Sequence, residues 1–475
     1  MHQPNSSSFL TQMGVIGMTP IEPVIFAALI TAEPLLLIGP HGTGKSLLLN
    51  RISAVLGLES RHYNASLLNF DDLVGYPLPN AKGQVDYVRT PAAIWGAQTV
   101  FLDEISRCRP DMQNKLFPII QEKRVQGIEL KDLVYRWAAM NPPSNDEDAN
   151  QAYLGSEPLD AALADRFAFV VEVPSWEQLS EEEQGLVIRS RGTEADIVPD
   201  PKLADEIVNG RRVRTLLDAD HADGVVIYVR LLIALLAQAG LQLSPRRAGM
   251  ILRNVLAVHA ANSVLGFNVA LQDSALLAVR SSVPQVAQGI KVDQVKLLAA
   301  HREAWKASQL EEGDPSLSIL TERNPVRRVM KASVAESISA SDFSSIVADA
   351  LAALPLGGRH ALAFRLFESA SASRLVAAVA EQCAELYAMV ATAQEVHESV
   401  GSKSVRHRVW QRIVKILAQL APDLAETVLK TNLLCGLFSS NQLAVEEDVD
   451  RALEAWDRVN DGLWLPGRQE GRQVA

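Results

Sequence analysis

From Ile21 to Val173 short apolar runs alternate with segments whose apolar positions recur at helical spacing. Leu35–Ile38, Val100–Leu102, Tyr135–Met140 and Phe167–Val173 are the runs. They are short and mostly apolar, and so predict buried strands of a parallel sheet. Between the first two, Leu47, Leu48, Ile52 and Leu56 fall at helical spacing. Such alternation predicts a doubly wound α/β unit. After Pro174 the strand signals largely stop. Long helical patterns such as Val225–Ala239 and Arg247–Leu265 fill residues 176–310, and more amphipathic helices fill 326–465. The stretch 311–325, with Gly313, Pro315 and Asn324-Pro325, reads as a linker. The expected organisation is a flexible N-terminus (1–13), an α/β subdomain (14–175), a helical lid (176–310), the linker and an all-α C-terminal domain (326–475) with a ragged tail after Pro466.

Composition changes this picture only at its edges. The 475 residues suggest two to four domains, and 48% hydrophobic with 21% charged residues is a globular balance. Aromatics are only 5% while Ala and Leu abound, which favours helices over a β-sandwich. The net charge of −11 argues against wholesale coating of nucleic acid and leaves a local basic groove open. Cys108, Cys383 and Cys435 are odd in number and far apart, which excludes a disulfide framework or a CxxC zinc site and fits a reducing compartment. No apolar run approaches the roughly 18 residues needed to cross a bilayer, and a signal-peptide order is not seen. A soluble, cytoplasmic protein is expected.

Chemistry concentrates in three places. Gly39-Pro40-His41-Gly42-Thr43-Gly44-Lys45-Ser46 satisfies GxxxxGK[ST] between a predicted strand and helix. Glycines let backbone N–H groups close around phosphate oxygens, Lys45 offers a cation to the β/γ-phosphates and Ser46 a hydroxyl to Mg²⁺. The helix behind it adds its positive end. Thr99-Val-Phe-Leu-Asp103-Glu104 is a buried run ending in two acids. Asp103 suits the Mg²⁺ hydration shell and Glu104 suits water activation, although such acids also cap helices. Asn141 follows a third run, where it would reach a γ-phosphate or lytic water, or merely form a turn before Pro142. No guanine-reading NKxD pattern is present, since Asn114-Lys115 continues into Leu-Phe, and ATP is expected rather than GTP.

In order and spacing these motifs resemble the AAA+ ATPases, and within them the MoxR-type branch, near the dynein-related and McrB-like branches. The resemblance spans roughly residues 14–305 and includes Asp71-Asp-Leu-Val-Gly75, Asp103-Glu-Ile-Ser-Arg107, Lys115-Leu-Phe-Pro-Ile-Ile-Gln-Glu122, Leu163-Ala-Asp-Arg166-Phe and Ser244-Pro-Arg246. It implies an α/β P-loop core with a parallel sheet, a helical lid, and Mg·ATP hydrolysis. It implies further that Asn141 acts as sensor 1, that Arg246 acts as sensor 2 on the lid, with Arg247 able to exchange roles, and that Arg166 contacts ATP on a neighbouring subunit. A guanidinium supplied in trans would stabilise charge on the γ-phosphoryl oxygens. An ordinary ion pair is the other use of Arg166, and Arg107 and Arg109 are weaker candidates for the same interface. His41 stands where a second proline is usual, in a permissive part of the loop.

The resemblance also implies a ring, expected to be a hexamer, that remodels a protein client with a von Willebrand factor A domain. A McrB-like, nucleic-acid-associated ATPase of a restriction or anti-phage assembly is the alternative. Residues 68–90 and 122–137 look like pore-facing hairpins, or else solvated loops. In the C-terminal region Lys403, Arg406, Arg408, Arg412 and Lys415 form a basic stripe around Trp410. It could meet nucleic acid or an acidic partner, or be a solvated face. Arg327, Arg328 and Lys331 read the same way.

Overall fold

The computed structural model describes residues 8–79, 82, 85–143, 156–190, 199–310, 314–393, 396, 404–421 and 425–462. The chain divides into two compact units, residues 1–309 and 310–475.

The first unit is built on nine strands: β1 (Leu35–Ile38), β2 (Ser60–Asn64), β3 (Tyr76–Pro79), β4 (Val85–Val88), β5 (Thr99–Asp103), β6 (Arg124–Val125), β7 (Ile128–Glu129), β8 (Tyr135–Met140) and β9 (Phe169–Glu172). Five of them form one sheet in the order β2-β5-β8-β1-β9, all parallel. Burial on both faces explains the unbroken apolar runs. The central strand β8 is buried throughout, even at Arg136. That guanidinium donates to Ile120 O (3.0 Å), Ala32 O (2.6 Å) and Val134 O (2.7 Å). It thus satisfies carbonyls at two helix ends; burial pushes it down to about 10.

Two antiparallel hairpins project from this frame, β3–β4 and β6–β7. Gln126 and Gly127, between β6 and β7, both have positive φ, as a two-residue hairpin turn requires. The expected turn at Asn80 to Gly83 lies outside the described residues, apart from Lys82. Hairpin positions Tyr76, Leu78, Tyr87, Val88 and Ile128 are exposed.

Helix Glu22–Thr31 is buried on nearly every side. The long lid helix Pro201–Gln238 crosses it at Gly210, where a Cβ would lie 2.6 Å from Ile30 Cδ1. Arg211 Nε then donates to Ile30 O (3.1 Å). Helices Pro245–Val264, Leu271–Arg280 and Gln294–Ser308 complete the lid. The N-terminus corrects the expectation of a flexible 1–13. Residues 1–7 lie outside the described residues, but Phe9 and Leu10 are buried in a short helix. Ser8 O–H and Leu10 N–H donate to the fully buried Glu22 carboxylate at 2.7 and 3.0 Å. Apolar burial outweighs the polar composition around it.

The second unit is all helix among the described residues. Residues 311–313 of the expected linker lie outside them. From Asp314 onward the segment is not loose: Asp314 caps helix Pro315–Leu320, and Ile319 joins the core of this unit. Phe343, Phe364, Phe438 and Trp456 fill that core. Helices Leu356–Phe367 and Glu446–Gly462 approach so closely at Gly357 that an added Cβ would meet Ala452 O at 1.8 Å. Arg374 lies over the Phe343 ring at 4.9 Å and donates to Ala332 O, Ser333 O, Ala335 O and Ile338 O.

Candidate nucleotide site

In a parallel sheet the strand C-termini share one edge, and there the connecting loops converge. Ile38 pairs with Met140, and Leu102 with Ala138, so β1, β8 and β5 deliver Gly39, Asn141 and Asp103 to that edge side by side. Gly39 N–H donates to Met140 O (3.2 Å), fastening the loop beside Asn141. Gly42 and Gly44 have φ of +77° and +83°, a region open to glycine and costly for other residues. Gly44 directly precedes helix Lys45–Val55, whose first N–H groups lack helical acceptors and favour an anion. Thr43 O–H donates back to Pro40 O (2.8 Å), while His41 is exposed at the loop tip.

Lys45 is 7% exposed. Its ammonium donates to Gly39 O (2.7 Å), Pro40 O (2.7 Å) and Asn141 Oδ1 (3.3 Å). Burial lowers it below the ordinary lysine range, against the pull of Asp103 and Glu104. Ser46 O–H donates to Asp103 Oδ2 (2.7 Å), and His62 Nε2 lies 3.4 Å from the same oxygen. Burial alone would raise the Asp103 carboxyl. Hydrogen bonds from His62, Ser46 and the Glu104 N–H outweigh it and hold the group low. One hydroxyl and one ionised carboxylate oxygen, side by side beneath a phosphate-binding loop, are the hard donor set that Mg²⁺ accepts.

Glu104 takes φ +54° and ψ 39°, a left-handed conformation costing roughly 1–2 kcal/mol for a side-chain-bearing residue. The turn parts two consecutive carboxylates. Asp103 meets Ser46, whereas Glu104 stands 4.0 Å from Arg107 Nη1 and stays partly open to solvent. Asn141 is steadied through its carbonyl, which accepts from Ser156 O–H (3.0 Å).

The two arginines after Pro245 separate sharply. Ser244 caps helix Pro245–Val264 through the Arg247 N–H (3.1 Å) and donates its O–H to Asp165 (2.8 Å). Arg247 is fully buried. It reaches Asp165 Oδ1 (3.3 Å), Phe167 O (2.7 Å) and Ala168 O (3.2 Å), locking the lid helix to the start of β9. Arg246 is 41% exposed and only grazes Asp165 at 3.5 Å. An exchange of roles is therefore not supported: Arg247 has no access to a ligand. Arg166 donates to Ala162 O (2.6 Å) and lies over the Phe117 ring at 4.2 Å. Arg109 Nη2 donates to Asn69 Oδ1 (3.1 Å).

Sequence reasoning missed Asp165, which organises Ser244, Arg246 and Arg247. It also missed His62, and a pocket of about 430 Å³ beside Gly39 and Pro40 that includes Gly17 and Pro20 of the N-terminal segment and Glu172 of β9. No pattern signals a pocket gathered from such separate segments.

The basic stripe of the second unit is largely neutralised at home. Arg412 pairs with Asp450 (2.7 Å) and Arg408 with Glu446 (3.5 Å), Arg406 donates to Phe438 O (3.0 Å), and Trp410 packs on Phe438. Lys403 lies outside the described residues. Arg328 donates to Leu320 O (3.2 Å) and Lys331 pairs with Glu322 (2.9 Å). Among the described residues no helix is long and apolar enough to cross a membrane.

Residues 34–167 match the AAA domain of the dynein-related subfamily. A search of the curated proteins finds no match. Among solved structures, a "putative ATPase" from Cytophaga hutchinsonii is similar at 20% identity over 62% of this chain and 92% of that one, with a TM-score of 0.45. The family match and the motifs it encloses identify residues 34–167 as an AAA domain of the dynein-related subfamily.

Proposed function

We propose that the protein is a MoxR-type AAA+ machine that hydrolyses Mg·ATP within a ring, expected to be a hexamer, and remodels a protein client. The observation that carries the hydrolysis is the convergence of Lys45, Ser46, Asp103 and Asn141 within direct hydrogen-bonding reach at one sheet edge. In this reading the phosphate chain displaces the carbonyls of Gly39 and Pro40 as acceptors for Lys45, since charge-assisted bonds are the stronger ones. Ser46 and Asp103 would hold Mg²⁺, Asp103 through water, which neutralises phosphate charge when bound. Asn141 Oδ1, already beside Lys45, orients the lytic water. Glu104 Oε2 accepts its proton as the oxygen attacks the γ-phosphorus and the bond to the β,γ-bridging oxygen breaks, so that ADP and phosphate leave. Arg246, exposed on the lid, senses the nucleotide, and Arg166 leaves its perch on Phe117 to reach the neighbouring subunit's γ-phosphate. The pocket beside Gly39 takes the base.

A client bearing a von Willebrand factor A domain follows from the family resemblance, and the exposed apolar hairpins suit contact with it. The pairing of Arg408 and Arg412 disfavours the nucleic-acid alternative, because paired cations release fewer counterions to a polyanion. Particle mass measured with and without ATP tests assembly: a shift from monomer to a closed ring is expected, and a monomer at all ATP concentrations overturns it. Mixing Arg166→Ala with Lys45→Ala subunits tests the trans finger: partial recovery of turnover is expected, and none at any ratio counts against it. DNA-stimulated turnover with a steep salt dependence would favour the alternative.

A further inference from the structure

The ATP reading leaves one acid at the site unassigned. Glu172, the last residue of β9, pairs in register with Ile38, which immediately precedes Gly39 of the phosphate loop. Glu172 lines the pocket beside that loop. It is solvent-accessible yet sits in a recess, and the surrounding protein raises its carboxyl above the ordinary range by limiting its hydration. Among the described residues its carboxylate makes no hydrogen bond and no ion pair. Its polar neighbours in the pocket are otherwise engaged. Glu183 accepts from Ser180 (2.9 Å), Ser175 O–H donates to Glu177 (2.8 Å), and Gln178 Oε1 accepts from Ser175 N–H (2.8 Å). Pro20, Pro40, Pro142, Pro174 and Val173 also form walls of the pocket. Such walls suit the face of a planar base better than a ribose, whose hydroxyls need several polar partners. A carboxylate without a partner in this recess calls for a donor on the edge of that base.

We propose that Glu172 reads the base: its carboxylate accepts an N–H of the 6-amino group of adenine and thereby selects 6-aminopurine over 6-oxopurine nucleotides. The inference rests on the nucleotide reading of the phosphate loop and adds to it a residue that decides which nucleotide enters. A 6-oxo base would set its carbonyl oxygen against the carboxylate, two acceptors with no proton between them, and an unpaired polar group in a recess weakens binding by roughly ten- to a hundredfold.

The test is equilibrium binding of ATP, inosine triphosphate and 2′-deoxy-ATP, each with Mg²⁺, to the full chain and to its Glu172→Gln, Glu172→Ala and Lys45→Ala variants. Wild type should hold ATP about ten- to a hundredfold tighter than inosine triphosphate. Glu172→Gln, whose amide offers both an acceptor and a donor, should bring the two within roughly threefold, and Glu172→Ala should weaken ATP selectively. In every variant 2′-deoxy-ATP should track ATP. An unchanged ATP preference in both Glu172 variants overturns the proposal. So does a selective change toward 2′-deoxy-ATP, which would assign the carboxylate to the ribose. If Lys45→Ala abolishes binding while the Glu172 variants keep their preference, only the base assignment fails. If Lys45→Ala binds like wild type, the nucleotide reading itself fails. Matching thermal unfolding of the isosteric Gln variant excludes misfolding as the cause.

Discussion

The sheet edge of the first unit and the helices of the second treat their polar groups in different ways. In the second unit such groups mostly close on themselves. One guanidinium, Arg374, serves four carbonyls, Asn432 Nδ2 donates to Val390 O (2.8 Å), and surface arginines meet acids of the last helix. In the first unit the sheet edge gathers groups with capacity to spare. Lys45 holds only exchangeable carbonyl and amide acceptors, Glu104 is twisted away from its neighbour, and Glu172 has no partner among the described residues. Both units bury an apolar core, so the presence of a packed core does not mark the site. Chemistry is found where polar valence is left open in a concave place, and charge density alone is a poor guide to it. The basic stripe is dense in charge and closed; the phosphate loop is sparse and open.

That contrast can be broken at several points. Arg247→Ala should have the largest effect, because it removes the fully buried guanidinium that joins Asp165 to the carbonyls of Ala164, Phe167 and Ala168. A loss of about 3–5 kcal/mol in the first unit is expected by chemical denaturation, with Arg246→Ala within about 1 kcal/mol of wild type but slower in ATP turnover. Similar stability losses in the two variants would erase the distinction between tie and sensor. Next, Lys45→Ala should weaken ATP binding at least about a hundredfold, the scale of losing charge-assisted phosphate contacts, without altering the unfolding of the second unit. Gly357→Ala sharpens the comparison from the other side. Its methyl must force helix Leu356–Phe367 off the Ala452 carbonyl, which should cost the second unit about 1–3 kcal/mol and leave ATP affinity at the wild-type value; a parallel fall in affinity would show the units to be coupled. Smallest is Arg412→Ala, an exposed pair whose loss should leave the melting temperature and any DNA binding unchanged.

Local motifs were legible because their physics is local. A glycine-rich turn between an apolar strand and a helix announces itself within a dozen or so residues, and the acids after β5 and Asn141 after β8 follow from strand order at a parallel edge. The β6–β7 hairpin was legible from Gly127 at its turn, and the helices after Pro174 from helical spacing. Adjacent arginines were not separable, because neighbouring helical positions point about 100° apart and only packing decides which one is swallowed. The pocket beside the glycine-rich loop draws on Gly17, Pro20, Gly39 and Glu172, positions that no periodicity links. The short helix at Phe9–Gln12 hid within a polar composition, its two buried residues too few to shift a window average. In the second unit the helices were visible but their arrangement was not, since amphipathic faces say that a helix packs and not against what.

The most direct test of the open-site account measures ATP binding and ATP turnover on the same preparation of Glu104→Gln. Glu104 contacts neither the phosphate loop nor Asp103 through its carboxylate, so the account predicts a Kd within about threefold of wild type and a kcat lower by roughly a hundredfold or more. Turnover near the wild-type rate would contradict it, as would a loss of turnover fully explained by a loss of binding.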